Sequence, residues 1–271
     1  RERFIGYEIK TEKLVELNKL LKDRGIMIRH TKSLLKDTLP PKTRKPVILP
    51  KPKGYQKELN RLEAKYGELA APQLTMIRKW LAEEKVLDVT EYVQNIIDQS
   101  ETDKVLVFGN YKEATTKIGQ NLKVVAINGD TKFEERQPII DKFQSDPNVK
   151  VLVMTVKTGN VGLNLVEANH VVFNDYSYSP SDMMQAEARI DRIGQTKPVT
   201  IHYMSAENTV DEDVIDLLTK KQNILNGIID GTPYTYDEKG IQQSVLDKLN
   251  AMMKSQKIQK TRTAMFKQKK K

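Results

Sequence analysis

Two closely spaced arginines, Arg189 and Arg192, are the residues of this chain best suited to chemistry on a phosphate group. A guanidinium is planar and permanently charged, so a pair of them can clamp a phosphate that gains negative charge in a transition state. Gln185 precedes them, and the spacing of i, i+4 and i+7 would place all three side chains on one face of a helix. The pattern predicts a helical arginine clamp.

The start of that helix is also signalled in the sequence. Ser179 is suited to the N-cap position, and Pro180 and Asp182 are suited to the first turn. A second interpretation stays open, because charged helix faces are usually solvated. In that interpretation Glu187 and Asp191 neutralise the two arginines on an exposed helix.

Five apolar runs alternate with helical stretches or short loops from residue 104 onward. Because the runs are continuously apolar, strands formed from them would be buried on both faces. We therefore predict an α/β protein with a parallel sheet covered by helices. The runs are residues 104–109, 122–127, 150–155, 170–175 and 199–204.

Small, polar and basic residues follow several of the predicted strands. Ligands of parallel α/β sheets bind at the carboxyl ends of the strands, so we expect these residues to gather along one edge. Gly159 and Gly162 would allow a close approach of the backbone to a ligand. Taken singly, a glycine-rich turn is more typical of an ordinary connection, but the joint occurrence of these segments ahead of paired arginines favours a site.

Residues before the sheet are predicted to form helices and a connector. Leucines at helical spacing predict a helix over residues 11–25, followed by an extended run at 26–30 and a short helix at 31–36. Five prolines indicate that residues 39–54 are an extended connector or the stem of a protrusion. Two or three amphipathic helices are predicted between residues 55 and 99.

Two later helices are predicted from capping boxes. Thr131 with Glu134 forms one such pattern, and Thr209 with Glu212 forms the other. The second pattern opens a long helix that Gly231 can end.

Composition narrows the class of protein. No apolar run approaches the roughly eighteen residues of a membrane span, and the N-terminal residues lack a signal-peptide pattern, so we expect an intracellular protein. The start at Arg1 suggests a piece of a longer chain.

The chain has no cysteine, and His30, His170 and His202 lie far apart in the sequence, so no metal site is predicted. Any divalent metal would arrive with a substrate.

The net charge of +9 is concentrated in two segments. Residues 36–57 contain seven basic residues and one acidic residue, and residues 254–271 contain eight basic residues and no acidic one. Such segments attract polyanions such as nucleic acids, although basic tails often serve only solubility.

Several motifs resemble those of the Swi/Snf-type ATPases of helicase superfamily two, a family of DNA translocases. The segment from Gln185 to Gln195, which ends in Arg-Ile-Gly-Gln, is similar to the sixth helicase motif. Residues 155–165 resemble the fifth motif, residues 105–114 the fourth, and residues 128–144 the segment between them. Residues 27–44 look like the exit from the first RecA-like lobe, and the whole resemblance covers residues 14–231.

The resemblance implies the C-terminal RecA-like lobe of such an ATPase, with an N-terminal helical protrusion and a basic C-terminal tail. Residues 1–90 would contain a remnant of the exit from lobe one plus the protrusion. Residues 91–232 would form the RecA-like helicase lobe, and residues 233–271 the helical basic tail.

The resemblance also implies roles for individual residues. Arg192, with Arg189, would act as an arginine finger on the γ-phosphate of ATP, while Gly162, Asn164 and Gln185 would line the nucleotide cleft. The contacts to the backbone of double-stranded DNA would come from Asn110, Gly129, Thr131, Thr155, Lys157 and Thr158.

The sequence lacks a Gly-x-x-x-x-Gly-Lys-Ser/Thr loop and an Asp-Glu-x-His motif, so ATP and Mg²⁺ would be held mainly by a separate N-terminal RecA-like lobe. We therefore expect the isolated chain to be an inactive monomer that associates with DNA inside the cell. Departures from the family pattern are Tyr178 before the sixth motif, where tryptophan is usual, and His30 and Lys157, where arginine is usual.

Two alternatives remain open. The chain could be a non-catalytic module that binds DNA or a protein, or it could be the second lobe of an RNA helicase, which shares the sheet and the arginine pair. The Arg-Ile-Gly-Gln ending and the long helix from Thr209 favour the duplex-DNA family over the RNA helicases.

Overall fold

The computed structural model describes residues 11–24, 39–67, 70–159 and 163–215, which form an α/β fold. The predictions for residues 26–30, 31–36 and beyond 215, including the basic tail, lie outside the described residues. The elements in chain order are α1 (Thr11–Asp23), β1 (Lys42–Leu49), α2 (Tyr55–Tyr66), α3 (Ala71–Glu84), α4 (Val86–Asp98), β2 (Val105–Gly109), α5 (Lys112–Asn121), β3 (Ala126–Ile127), α6 (Phe133–Ser145), β4 (Val151–Thr155), α7 (Val156–Gly159), β5 (His170–Phe173), α8 (Pro180–Glu187) and β6 (Val199–Ala206).

The six strands form one parallel sheet in the order β1-β6-β5-β2-β4-β3. Every residue of β2 and β4 is buried, as expected for apolar strands that carry helices on both faces. The predicted fold class and the five predicted strands are confirmed, although β3 is only two residues long.

The interpretation of residues 39–54 as a connector is wrong. Residues Lys42–Leu49 form an edge strand, which pairs with β6 from Lys42 opposite Val199 to Leu49 opposite Ala206. Pro46 is tolerated within this strand because an edge strand leaves one side of its backbone without ladder bonds. The proline content therefore indicated an extended segment but concealed its place in the sheet.

Helices pack on both faces of the sheet. On one face, α2, α3 and α8 cover Leu106 and Phe108 of β2. On the other face, α4 and α5 cover Val105 and Val107, because successive strand residues point to opposite sides. The predicted helices between 55 and 99 are confirmed as α2, α3 and α4. The domain boundary predicted at residue 90 falls within α4 and stays a prediction.

Local signals at the helix starts had different outcomes. The Ser179 side chain accepts a hydrogen bond from the backbone N–H of Asp182, so the predicted N-cap of α8 is confirmed. The Thr209 hydroxyl oxygen likewise accepts from the N–H of Asp211. The capping box at Thr131 is wrong, because α6 begins only at Phe133 and has no side-chain cap.

None of the helices in the described part of the chain combines the length and hydropathy that a membrane span requires.

Candidate functional site

The segment that carries the two arginines is a turn and not a helix. Helix α8 ends at Glu187, so Gln185 lies on the helix while Arg189 and Arg192 lie beyond it, in residues 188–195. We call these eight residues the arginine turn. The predicted common helix face is therefore wrong. The chain leaves the helix through tight turns and reaches Gly194, whose positive φ of 103° favours glycine.

Gln195 holds the far end of the arginine turn. Its side-chain amide donates to the carbonyl oxygens of Ala168 and Ile190 at 2.8 and 3.2 Å. Its side-chain carbonyl accepts from the N–H groups of Thr196 and Lys197 at 3.0 and 2.9 Å. Gln195 is buried, and its bond to Ala168 ties the turn to the segment before β5, while the other three bonds stabilise the end of the turn itself.

The two arginines differ in environment. Arg189 is half-buried and donates to the carbonyl oxygen of Leu163 at 3.4 Å, while its own carbonyl accepts from the N–H of Leu165 at 3.0 Å. Burial lowers the pKa of Arg189, and the neighbouring charge of Arg192 lowers it further. Arg192 is exposed. The pair thus concentrates positive charge where an anion can approach Arg192.

Acidic residues of this region pair with the edge strand. The Glu187 carboxylate accepts two bonds from Arg44, at 2.9 and 2.5 Å, one from Lys42 at 3.2 Å and one from the Tyr203 hydroxyl at 2.6 Å. Lys42 also contacts Asp191 at 2.7 Å. Burial raises the pKa of Glu187, but the Arg44 and Tyr203 bonds outweigh it and leave the pKa below its usual value. The interpretation of a solvated helix neutralised by these acids is therefore wrong, since there is no helix at the arginines and both acids bind Lys42.

All six residues predicted to contact DNA lie at or just after the ends of β2, β3 and β4. We call this region the carboxyl edge and define it as residues 110, 128–131 and 155–158. After β3, the Thr131 hydroxyl accepts from the N–H of Asn128 at 3.0 Å, and the Asn128 side chain accepts from the N–H of Asp130 at 2.9 Å. Gly129 at the tip of this loop is exposed.

The end of β4 lies beside that loop. The Thr158 hydroxyl contacts the carbonyl oxygen of Ile127 at 3.2 Å and the Thr155 hydroxyl at 2.9 Å. Lys157 between them is exposed, whereas Thr155 is buried. The structure therefore brings Gly129, Thr131, Thr155, Lys157 and Thr158 together. Gly162 lies outside the described residues, and Asn164 is exposed, with its carbonyl accepting from Gln144 at 2.7 Å.

Asn110 is held by a buried acid that the sequence reasoning missed. The Asp175 carboxylate accepts from the backbone N–H of Asn110 at 2.6 Å. Burial raises the pKa of Asp175, and Lys85 and Arg78 oppose that rise. An aspartate at the end of an apolar strand was the available signal.

Tyr178, which departs from the family pattern, packs against another missed residue. The guanidinium of buried Arg78 lies 4.0 Å from the centre of the Tyr178 ring, and it donates to the carbonyl oxygen of Tyr176. The ring of Tyr178 thus packs against an arginine of α3.

The predicted gathering of all site residues along one edge is wrong. Two contacts of the arginine turn reach residues at the amino ends of strands, since Gln195 binds Ala168 just before β5 and Asp191 binds Lys42 at the start of β1. The chain then enters the amino end of β6 at Val199. The turn lies away from the carboxyl edge because α8 runs from the end of β5 back along the sheet.

Two histidines that are distant in the sequence are adjacent in the fold. His170 Nδ1 and His202 Nε2 are 3.0 Å apart, because β5 and β6 are neighbours. His170 faces Asp103 at 3.4 Å, and His202 contacts the Tyr92 hydroxyl at 3.0 Å. Burial lowers the pKa of His202 to about 4, with His170 and Lys45 adding to the effect. Within the described ranges, no three metal-binding side chains form a group.

Comparison with known proteins identifies the domain. Residues 88–194 match the family described as the helicase conserved C-terminal domain. The chain is 32% identical over 234 residues to mouse "DNA annealing helicase and endonuclease ZRANB3". The aligned residues cover 80% of this chain and 22% of that protein. It is 33% identical over 222 residues to the Xenopus tropicalis "SWI/SNF-related matrix-associated actin-dependent regulator of chromatin subfamily A-like protein 1", covering 76% of this chain and 23% of that protein.

Residues 88–194 are a helicase conserved C-terminal domain of the Swi/Snf type. The resemblance inferred from the motifs is confirmed. Solved structures share the fold: the C-terminal part of the Fun30 ATPase domain has a TM-score of 0.53 at 19% identity, covering 79% of this chain and 97% of that one. The Sulfolobus solfataricus SWI2/SNF2 ATPase core in complex with dsDNA has a TM-score of 0.54 at 23% identity, covering 79% and 52%. The chain spans less than a quarter of the length of the two curated relatives.

Proposed function

We propose that this chain is the C-terminal lobe of an ATP-dependent translocase of double-stranded DNA, with the arginine turn acting on ATP and the carboxyl edge on DNA. Homology to Swi/Snf-related proteins supports the ATPase class. The name of the ZRANB3 relative and the dsDNA complex of a structural neighbour support DNA as the polymer.

The arginine turn carries the catalytic part of the proposal. The turn is fixed to the rest of the fold by bonds of Gln195, Asp191 and the adjacent Glu187, whereas Arg192 is exposed at the surface of the turn. A guanidinium held in place before the substrate arrives can stabilise charge that develops during phosphoryl transfer, without reorganising at that moment. Arg192, assisted by Arg189, would therefore contact the γ-phosphate, and Gly162, Asn164 and Gln185 would line the same cleft.

The carboxyl edge carries the DNA-binding part. Its exposed groups are the loop tip at Gly129, the ammonium group of Lys157 and the carboxylate of Asp130, which pairs with Lys112, while Asn110, Thr131 and Thr158 are partly exposed beside them. Hydroxyls, backbone N–H groups and a lysine bind phosphodiester oxygens without reading the base sequence. Binding would therefore be independent of sequence, with the edge following the backbone of the duplex. Thr155, being buried, would act by orienting Thr158.

The donor set at the arginine turn suits the phosphates of ATP more than a metal ion. Its exposed side chains include a guanidinium, whereas the nearby carboxylates of Glu187 and Asp191 are buried against Lys42. Mg²⁺ prefers oxygen ligands, so Mg²⁺ and the triphosphate would be held mainly by an N-terminal RecA-like lobe of the same polypeptide. We propose that the joined protein acts as a monomer on DNA inside the cell.

The deciding experiment compares this chain alone with the chain joined to its N-terminal lobe. The isolated chain should hydrolyse no ATP above background, and the joined protein should hydrolyse ATP faster when duplex DNA is present. Hydrolysis by the isolated chain would contradict the half-site proposal. No hydrolysis by the joined protein would favour a non-catalytic binding module, and stimulation by RNA duplexes alone would favour the RNA helicase alternative.

A further inference from the structure

The edge strand and the arginine turn are joined by a set of ion pairs. Arg44 binds both oxygens of Glu187, and Lys42 reaches both Glu187 and Asp191. The Tyr203 hydroxyl donates a further bond to Glu187. We call these five residues the β1 clasp. It connects the start of the sheet's edge strand to the residues that flank and separate Arg189 and Arg192.

Burial of its two carboxylates gives the β1 clasp a defined geometry, although the Arg44 side chain is about half exposed. The side chains of Glu187 and Asp191 are only 3% and 7% exposed, so each carboxylate depends on the cations that face it. Arg44 donates two parallel hydrogen bonds to the Glu187 carboxylate, which fix the relative orientation of the two groups as well as their separation. A shift of β1 would therefore move the last residue of α8 and the middle of the turn.

We infer that Lys42 and Arg44 are positioning residues, which hold the arginine turn in register for the phosphate of ATP. This inference rests on the proposed function. It assigns two cations of the basic 36–57 segment to an internal task, although their charge alone would suggest contact with a polyanion. The Arg44 Nε and Nη2 atoms are already directed at Glu187, and Lys42 is one-quarter exposed and shared between two acids.

The test uses the protein in which this chain is joined to its N-terminal lobe. Lys42→Met and Arg44→Met are compared with Lys45→Met, which removes one exposed positive charge from the same strand outside the clasp. Because displacement of a catalytic group by a distant change can cost about 10²-fold, each clasp variant should lower kcat for DNA-stimulated ATP hydrolysis by about ten- to hundredfold. The KM for DNA should change less than about twofold, and Lys45→Met should leave kcat near that of the unsubstituted protein.

A double-mutant cycle with Glu187→Gln tests whether Arg44 acts through its partner. If it does, Arg44→Met should cost little further kcat in the Glu187→Gln background, since coupled residues are not additive. Arg44→Lys should recover part of the activity because it restores charge but not the two-pronged contact. Urea unfolding of each variant separates loss of position from loss of folding. Additive losses with normal folding would overturn the inference.

Arg192→Lys is measured in parallel so that two failures can be told apart. Normal turnover in Arg192→Lys would contradict the proposed function itself. Strong loss in Arg192→Lys with normal kcat in both clasp variants would overturn only the positioning role. Loss of DNA affinity at unchanged kcat would show that Lys42 and Arg44 are a DNA-binding surface and would also overturn it.

Discussion

The arginine turn and the carboxyl edge are built in different ways. In the carboxyl edge, the loops after β3 and β4 are held mainly by local bonds, such as those from Asn128 to Thr131 and from Thr155 to Thr158, while Asn110 is held by Asp175. The arginine turn is held by contacts from distant parts of the chain, including the pair of Lys42 with Asp191 and the bond from Gln195 to Ala168, which are 27 residues apart. Short local loops follow from strand ends, whereas the turn depends on the assembled sheet.

This difference bears on how the two regions would work. An edge of small polar groups can follow a phosphodiester backbone with little dependence on any single side chain. A group that stabilises a transition state must be held in place, so its supporting contacts matter as much as the group itself. Substitutions in the turn should therefore have larger effects than substitutions at the edge.

The largest effect is expected at Arg192 in the joined protein. Arg192→Ala should lower the ATPase rate by about 10³-fold or more, because an arginine finger acts on charge that develops during transfer. DNA affinity, measured by fluorescence anisotropy, should stay within about threefold, since the loss lies in the transition state. Arg61→Ala, in an exposed ion pair with Glu58 on α2, is the control and should leave the rate unchanged. Normal turnover in Arg192→Ala would remove the contrast between the two regions.

The Gln195→Ala variant tests whether the bonds of the Gln195 side chain hold the arginine turn in place. Gln195→Ala leaves four backbone groups in and beside the turn without this partner, which should lower the free energy of unfolding by about 2–3 kcal/mol. ATP hydrolysis by the joined protein should fall, while the salt dependence of DNA binding is retained. Gln144→Ala, which removes one bond from a partly buried side chain to the carbonyl oxygen of Asn164, is the matched control. If both variants unfold at the same urea concentration, Gln195 does not anchor the turn.

Lowering the pH should destabilise the end of the sheet nearest the arginine turn before it destabilises the rest of the sheet. The pKa of His202 is lowered from 6.5 to about 4, so the unfolded chain takes up a proton at a higher pH than the folded chain does. Stability from this group is complete above about pH 6.5 and is lost progressively as the pH falls toward 4, by up to about 3 kcal/mol. His202→Gln should therefore flatten the decline of unfolding free energy between pH 6.5 and 4.5.

Hydrogen exchange at low pH locates that effect. Amides of β5, β6 and residues 195–199 should lose protection before those of β3 and β4, because His170 and His202 join β5 to β6. Equal loss across the sheet would mean that the histidine pair does not set the acid response.

The smallest effect is expected at Lys157 on the carboxyl edge. Lys157→Ala should weaken duplex binding several-fold and reduce the slope of log affinity against log salt by about one, as for one lost phosphate contact. Lys150→Ala, at the opposite end of β4, should leave the slope unchanged. The same slope in both variants would exclude Lys157 as a phosphate contact.

The sequence by itself determined the features that depend on neighbouring residues. The apolar runs identified β2 to β6 because burial on both faces leaves a continuous hydrophobic signature. The start of α8 followed from Ser179, whose cap bond spans three residues. The spacing of polar residues after β3 and β4 placed Thr131 and Thr158 at one edge, since parallel strands end together.

Only the tertiary structure decided the features that need distant partners. Lys42–Leu49 became a strand because β6 offered a parallel edge, and α8 stopped at Glu187 where the arginine turn meets β1, Ala168 and Leu163. The side chains of His170 and His202 are in contact because β5 and β6 are neighbours in the sheet. Pairing in a parallel sheet and burial of charged groups bring together residues that no local pattern relates, and these contacts place the two arginines.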